Sequence, residues 1–172
     1  MTVESALVVR VASVGAVVGL VRRVLDPTAG AGMPPHVTVL YPFLDPGGLD
    51  HERIAALSEA IASVPSFSFR LAGTGWFDDR VVYLRPEPAE PFRRLTAAIA
   101  GRFPECPPYG GAFGSVVPHV TVAMRGPRSV LSCAARIAAA LPPIEAVAEE
   151  VLLMSYEPGG RPWRADRSFP LG

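Results

Sequence analysis

Lysine is absent from this chain, and all 16 of its basic residues are arginine. That removes lysine Schiff-base chemistry and the phosphate-gripping lysine of P-loop nucleotide sites. Cysteine is scarce. Cys106 and Cys133 form no C-x-x-C pair and are too few for a disulfide framework, so a reducing, cytoplasmic setting is expected. Neither lies in a His-rich set of the kind that ligates a metal, and no metal or cofactor is expected. Net charge is missing as well: 16 acidic residues balance the arginines, leaving no general electrostatic footprint for stable binding to long nucleic acid. A few local donors remain enough to hold a small anion. No apolar run reaches the ~20 residues of a membrane span. Val11–Val21 comes nearest, but Glu4 before it and Arg22-Arg23 after it have the wrong polarity for a signal peptide.

The third scarcity is histidine, with three in the chain, and two of them sit in a repeat. Residues 35–39 and 118–122 are the same pentapeptide, Pro-His-Val-Thr-Val, 83 positions apart. Within each copy His and Thr are spaced i, i+2 between valines. On a strand that spacing puts His36 with Thr38, and His119 with Thr121, on one face and the valines on the other.

The 172 residues, 49% of them hydrophobic, are ample for one well-buried domain spanning 1–172. Ala6–Val11 reads as a strand, and Ser13 as the N-cap of a helix from Val14 to Leu25 that Asp26-Pro27 stops. A loop leads into the first motif strand. Asp50 is placed to cap a helix from His51 to Ser63 with Ile54, Leu57, Ile61 and Val64 on one face. Ser66–Leu71 alternates as a strand, Gly73–Asp79 reads as a turn, and Arg80–Arg85 as the next strand. A helix over Phe92–Phe103 and a long Pro/Gly loop, Pro104–Val117, precede the second motif strand. A loop of that length in a compact domain is usually functional or mobile. Ser129–Leu141 is an Ala-rich helix, Ala146–Tyr156 a strand, and Trp163–Leu171 a last extended segment. The expected fold is therefore α+β. Two lobes related by a pseudo-twofold, each with a hairpin beside one motif strand, supply two antiparallel sheets that line a central cleft, with helices outside.

Imidazole is the side chain best matched to proton transfer near neutrality. Two imidazoles on opposite sides of a phosphorus can divide the work, one taking a proton from water and the other giving one to the leaving oxygen. A threonine hydroxyl beside each can donate to a non-bridging phosphate oxygen. Such a site needs no metal.

These residues carry a family resemblance. One HxTx motif per lobe is the signature of the 2H phosphoesterases. Residues 34–43 (PPHVTVLYPF) resemble the first motif of their bacterial 2′-5′ RNA ligase-like branch, and residues 109–123 (YGGAFGSVVPHVTVA) the second, glycine loop included. The resemblance implies a bilobal antiparallel fold and metal-independent phosphoesterase activity, often on 2′,3′-cyclic phosphates or 2′-5′ linkages. It implies His36 and His119 as the acid/base pair and Thr38 and Thr121 as phosphate donors. In relatives acting on 2′,3′-cyclic phosphates the second His is commonly the base and the first the acid. RNA-acting relatives often carry an arginine five residues after the second motif His. Here that position is Met124, and the arginine is Arg125, one later. A regular strand would bring Arg125 onto the face of His119 and Thr121, and a bulge would break that parity.

Four further residues are candidate substrate contacts: Tyr83 and Tyr109, whose rings can stack on a base, and Arg85 and Arg125, on polar strand faces. His51, at a helix start, reads as a solvated surface residue. The expected protein is a monomer acting on a small nucleotide or RNA-end phosphodiester. The competing functions are a non-catalytic nucleotide or phosphate binder, which would tolerate loss of one His or Thr, and an esterase on a non-RNA phosphodiester.

Overall fold

Asp50 starts a helix where its position predicts one. Its carboxylate accepts the Arg53 amide at 2.8 Å, and the following helix buries Leu57 and Ile61. The computed structural model describes residues 3–172. In chain order the elements are β1 (Glu4–Arg10), α1 (Ala12–Leu25), α2 (Pro27–Gly30), β2 (His36–Leu40), α3 (His51–Ala62), β3 (Phe67–Phe77), β4 (Val81–Glu87), α4 (Glu90–Arg102), β5 (Val120–Ala123), α5 (Arg128–Ala139), β6 (Ile144–Ala148), β7 (Glu150–Tyr156) and β8 (Arg164–Pro170). The strands form two four-stranded antiparallel sheets, ordered β2-β1-β7-β8 and β5-β4-β3-β6.

The α+β class and the two antiparallel sheets match expectation, but the lobes are interlaced rather than consecutive in the chain. The β3–β4 hairpin lies beside the second motif strand, β5. The C-terminal hairpin β7–β8 returns to β1 and so to the first motif strand, β2. The apolar stretch expected as one strand over Ala146–Tyr156 is in fact two. β6 ends at Ala148 on the edge of the second sheet, and β7 begins at Glu150 in the first. The exposed pair Glu149-Glu150 stands at the break, while Ala148 and Val151 on either side are buried, because both sheets bury side chains in one core that takes in Leu7, Val37, Phe69, Val82, Val120 and Leu153.

The helices cross between lobes too. α1 connects β1 to β2, yet its Leu25 carbonyl accepts the amides of Met124 (2.8 Å) and Arg125 (2.9 Å), just past β5. α4 connects β4 to β5, yet its buried Thr96 hydroxyl donates to the Val39 carbonyl of β2 at 2.8 Å. Each motif strand is thus braced by a helix from the other unit.

Two local expectations are corrected. Ser13 does not cap α1. The cap position is Val11, without a side-chain cap bond, and its amide still donates to Pro35 at 2.8 Å, so the helix starts directly off the β1–β2 ladder. Gly73–Asp79 is not a turn. β3 runs on to Phe77 through a register shift between Leu71 and Thr74, where Gly73 has φ 73°. The glycine marks a bulge, which exchanges the faces of the strand. The reversal comes after it, at Asp78 and Asp79, with φ 45° and 56°.

Candidate active site

On β2, Val37 and Val39 are buried in the core, while His36 and Thr38 are half-buried on the opposite face. On β5, Val120 and Val122 are fully buried and Thr121 is half-buried; His119 stands immediately before the strand. The cross-strand partners also correspond. Thr38 lies opposite Val8 on β1, and Thr121 opposite Tyr83 on β4. The two edge strands β2 and β5 approach each other, and His36 lies within electrostatic reach of His119.

Both imidazoles are held in the same way. His36 Nδ1 is 2.8 Å from the Pro34 carbonyl, and His119 Nδ1 is 2.8 Å from the Val117 carbonyl. A carbonyl can only accept, so each Nδ1 carries the hydrogen and each neutral ring keeps its lone pair on Nε2. The bond spans one residue, which is proline in both copies. Proline fixes its own φ near −65° and biases the residue before it to extended backbone, so the carbonyl is preset against the ring. The Pro of the repeated pentapeptide thereby selects the tautomer of the His that follows.

Burial pushes the His36 imidazole from its ordinary 6.5 down to about 4. The Pro34 carbonyl opposes that shift, Arg22 adds to it, Asp26 opposes it, and His119 adds to it. His119 is lowered as well, by burial, against the Val117 carbonyl. Between pH ~6.5 and ~4 the unfolded chain holds a proton on residue 36 that the folded chain does not, so folding stability falls as pH drops through that window. The expected loss is on the order of 3 kcal/mol. Denaturant midpoints across that window should fall more steeply for the native chain than for His36→Ala.

Beside His36 lies a buried ion pair that sequence reasoning missed. Arg22, in the last turn of α1, donates from Nε (3.2 Å) and Nη2 (2.7 Å) to Asp26 Oδ2. Asp26 Oδ1 accepts the Thr28 amide (3.0 Å) and hydroxyl (2.7 Å), which starts α2. Arg22 and Asp26 are 2% and 1% exposed, so neither charge is shared with bulk solvent.

Of the candidate substrate contacts, two lie against the motif residues. The long loop brings Tyr109 back to the first half-site. Its amide donates to Tyr41 at 2.6 Å, just past β2, and its hydroxyl neighbours the Thr38 side chain. The loop makes this approach through three successive left-handed residues, Tyr109 (φ 51°), Gly110 (φ 63°) and Gly111 (φ 78°). A non-glycine residue held there is strained, a cost concentrated at functional sites. Phe113, 66% exposed, packs edge-on to Tyr109. Tyr83 reaches the second half-site, with its ring 5.3 Å from that of His119.

Arg85 sits two residues along β4 from Tyr83 on the same face, exposed. β5 stops at Ala123, and the Met124 and Arg125 amides both turn to Leu25, so the strand parity that would aim Arg125 at the motif face is not continued. Trp76 packs against the core under the Arg128 guanidinium, and His51 is exposed on α3. Sequence reasoning missed Phe77, which β3's bulge turns toward His119. Among the described residues no three His, Cys, Asp or Glu side chains converge as a metal site, and no helix is long and apolar enough to cross a membrane.

The sequence profile of the 2′-5′ RNA ligase superfamily matches residues 10–160. Among solved structures, TT0787 of Thermus thermophilus is 23% identical with a TM-score of 0.61, over 99% of this chain and 97% of that one. E. coli LigT complexed with NADP+ is 20% identical with a TM-score of 0.57, over 98% of this chain and 96% of that one. The same protein complexed with 3′-AMP is 19% identical with a TM-score of 0.57, over 98% and 97%. These structures share the fold. No curated protein matches the chain.

Proposed function

Because this chain belongs to the 2′-5′ RNA ligase superfamily, we propose that it is a metal-independent phosphodiesterase, hydrolysing a 2′,3′-cyclic phosphate or another small nucleotide or RNA-end phosphodiester. The observation that carries this is the matched pair of half-buried imidazoles, each with its Nδ1 tied to a carbonyl and its Nε2 left for chemistry. The substrate phosphate lies between them. One Nε2 takes the proton of the attacking water, and the other, protonated, gives its proton to the leaving oxygen as the P–O bond breaks. Thr38 and Thr121 donate to the non-bridging oxygens, where negative charge grows. Without substrate both rings favour the neutral form. An entering phosphate anion raises their proton affinity, so that one ring can carry a proton while the other stays neutral. That is the state that acid/base division of labour requires. The LigT complexes with NADP+, 3′-AMP and ATP support a nucleotide as the substrate class.

An esterase on a small non-RNA phosphodiester is the second reading. It is favoured by one observation: where RNA-acting relatives carry an arginine this chain has Met124, and Arg125 follows one residue later, its amide turned to the Leu25 carbonyl beyond β5. A panel of 2′,3′-cyclic nucleotides, 2′-5′ dinucleotides and simple phosphodiesters, assayed in EDTA, tests both. Turnover undiminished by the chelator, greatest on nucleotides, is expected. Chelator-sensitive turnover would sink the two-imidazole mechanism, and turnover confined to non-nucleotide esters would select the second reading.

A further inference from the structure

The two half-sites match in motif, tautomer and register, but not in what surrounds the imidazole. In the first sheet Thr38 lies opposite Val8, and Val8 opposite Leu152 on β7. These join Ala6, Met33 and Met154 in a small apolar cluster separate from the main core. In the second sheet the corresponding positions are Tyr83, opposite Thr121, and Gly75, opposite Tyr83 on β3. A Cβ placed on Gly75 would fall on the Cζ, Cε2 and Oη atoms of Tyr83, so the tyrosine ring lies flat across the glycine. Phe77, two residues along the same face of β3, stacks on Tyr83 with centroids 4.3 Å apart and 25° between planes. His119 meets both rings: Phe77 edge-on at 4.9 Å and 79°, and Tyr83 tilted at 5.3 Å and 59°. Among the described residues no such ring pair meets His36.

Tyr83 is only 7% exposed. Enclosed by Gly75, Phe77 and His119, it has no free face on which a base could stack, so its place is with the imidazole rather than with a nucleoside. The geometry points to Phe77 and Tyr83, seated on Gly75, as an aromatic clamp that positions the His119 ring for proton transfer. The two imidazoles share the Nδ1–carbonyl bond but not their surroundings, with rings against His119 and the buried Arg22–Asp26 pair within electrostatic reach of His36. Three placements have to coincide for the clamp to form: the bulge at Gly73 that turns Phe77 to this face, the bare Cα of Gly75, and the register that sets Tyr83 against Thr121. The clamp's catalytic meaning rests on the function proposed above, but its effect on the imidazole does not.

Burial and the Val117 carbonyl are what act on His119. The charged groups of the neighbouring strand, turn and helix, Arg85 on β4, Asp79 in the β3–β4 turn and its ion-pair partner Arg128 at the start of α5, are solvent-exposed. Removing a ring should therefore rehydrate the imidazole and loosen its orientation. The chain has three histidines, so the ring Cε1–H signals of His36, His51 and His119 can be followed individually by NMR against pH. In Phe77→Leu, at a half-buried position that keeps its apolar bulk, the His119 titration should move up toward the ordinary histidine value while that of His36 stays. Turnover of the best substrate should fall roughly 10- to 100-fold, mostly in kcat, the scale of a misplaced catalytic group. Tyr83→Leu should act alike, and Tyr83→Phe, which keeps the ring, should recover most of that loss. An unmoved His119 titration in both leucine variants overturns the clamp, as does a Tyr83→Phe variant no better than Tyr83→Leu. A shifted titration in a protein whose native form turns over no phosphodiester would leave the clamp standing and reject the proposed function instead.

Discussion

His36→Ala and His119→Ala should each lower kcat by on the order of 10²-fold or more, and the double variant should be little worse than either single one. The first figure is the usual scale for a general acid or base. The second follows from the two rings serving one proton-transfer cycle. Once either is gone, the remaining imidazole has no partner to complete the cycle, and its loss costs little more. Groups that act as a unit are grossly non-additive in this way. Steady-state rates for the four proteins on one substrate give the result. Losses that multiply in the double variant would mean two independent roles. Neither ring carries a stability role large enough to confuse the outcome at neutral pH, since both are half-buried and each makes one hydrogen bond, to a carbonyl two residues away.

Asp26→Ala should destabilise the fold by about 3–5 kcal/mol, the range for removing one partner of a buried ion pair. Arg22 is 2% exposed, and its Nε and Nη2 both donate to the one Asp26 oxygen, so the alanine leaves a guanidinium without its counter-charge and away from solvent. The same change strips the Thr28 amide and hydroxyl of their acceptor at the start of α2. Replacing both charges, as in Arg22→Leu with Asp26→Ala, should recover a part of the loss, because the uncompensated charge goes with its partner. Urea denaturation of the two variants against the native chain measures the difference. The effect should also reach function. The adjoining Leu25 carbonyl holds the chain leaving β5, so a loosened end of α1 disturbs the second motif strand as well as the ground beside His36.

The catalytic-face pattern was legible because it is local. A period of two on a strand fixes which side chains share a face, and Pro-His-Val-Thr-Val states that pattern twice without ambiguity. Asp50 was legible for the same reason, since a cap is decided within four residues. What stayed hidden depends on register and on contacts remote in sequence. Within Ala146–Tyr156 the crossing from one sheet to the other falls at Glu149-Glu150, a pair that reads equally as an exposed interruption of one strand, because the apolar residues on both sides are buried in the same core. Gly73 looked like a turn and is a bulge. Once the bulge reverses the faces of β3, Phe77 points to His119, a consequence that cannot be drawn without knowing that the strand continues. The pairing of Arg22 with Asp26 was not read, because the burial that makes it matter depends on contacts of α1 with chain remote in sequence. Gly75 acquires its meaning only when Tyr83 is known to be its cross-strand partner.

The central claim is that both half-sites hold one phosphate. A crystal structure of the protein grown with a phosphate-bearing product analogue tests it most directly. The predicted result is a single phosphate whose oxygens lie about 2.6–3.2 Å from Nε2 of both His36 and His119, with the hydroxyls of Thr38 and Thr121 donating to it. A phosphate bound by one motif alone, or bound through Nδ1 with the Pro34 and Val117 carbonyl bonds broken, would contradict it.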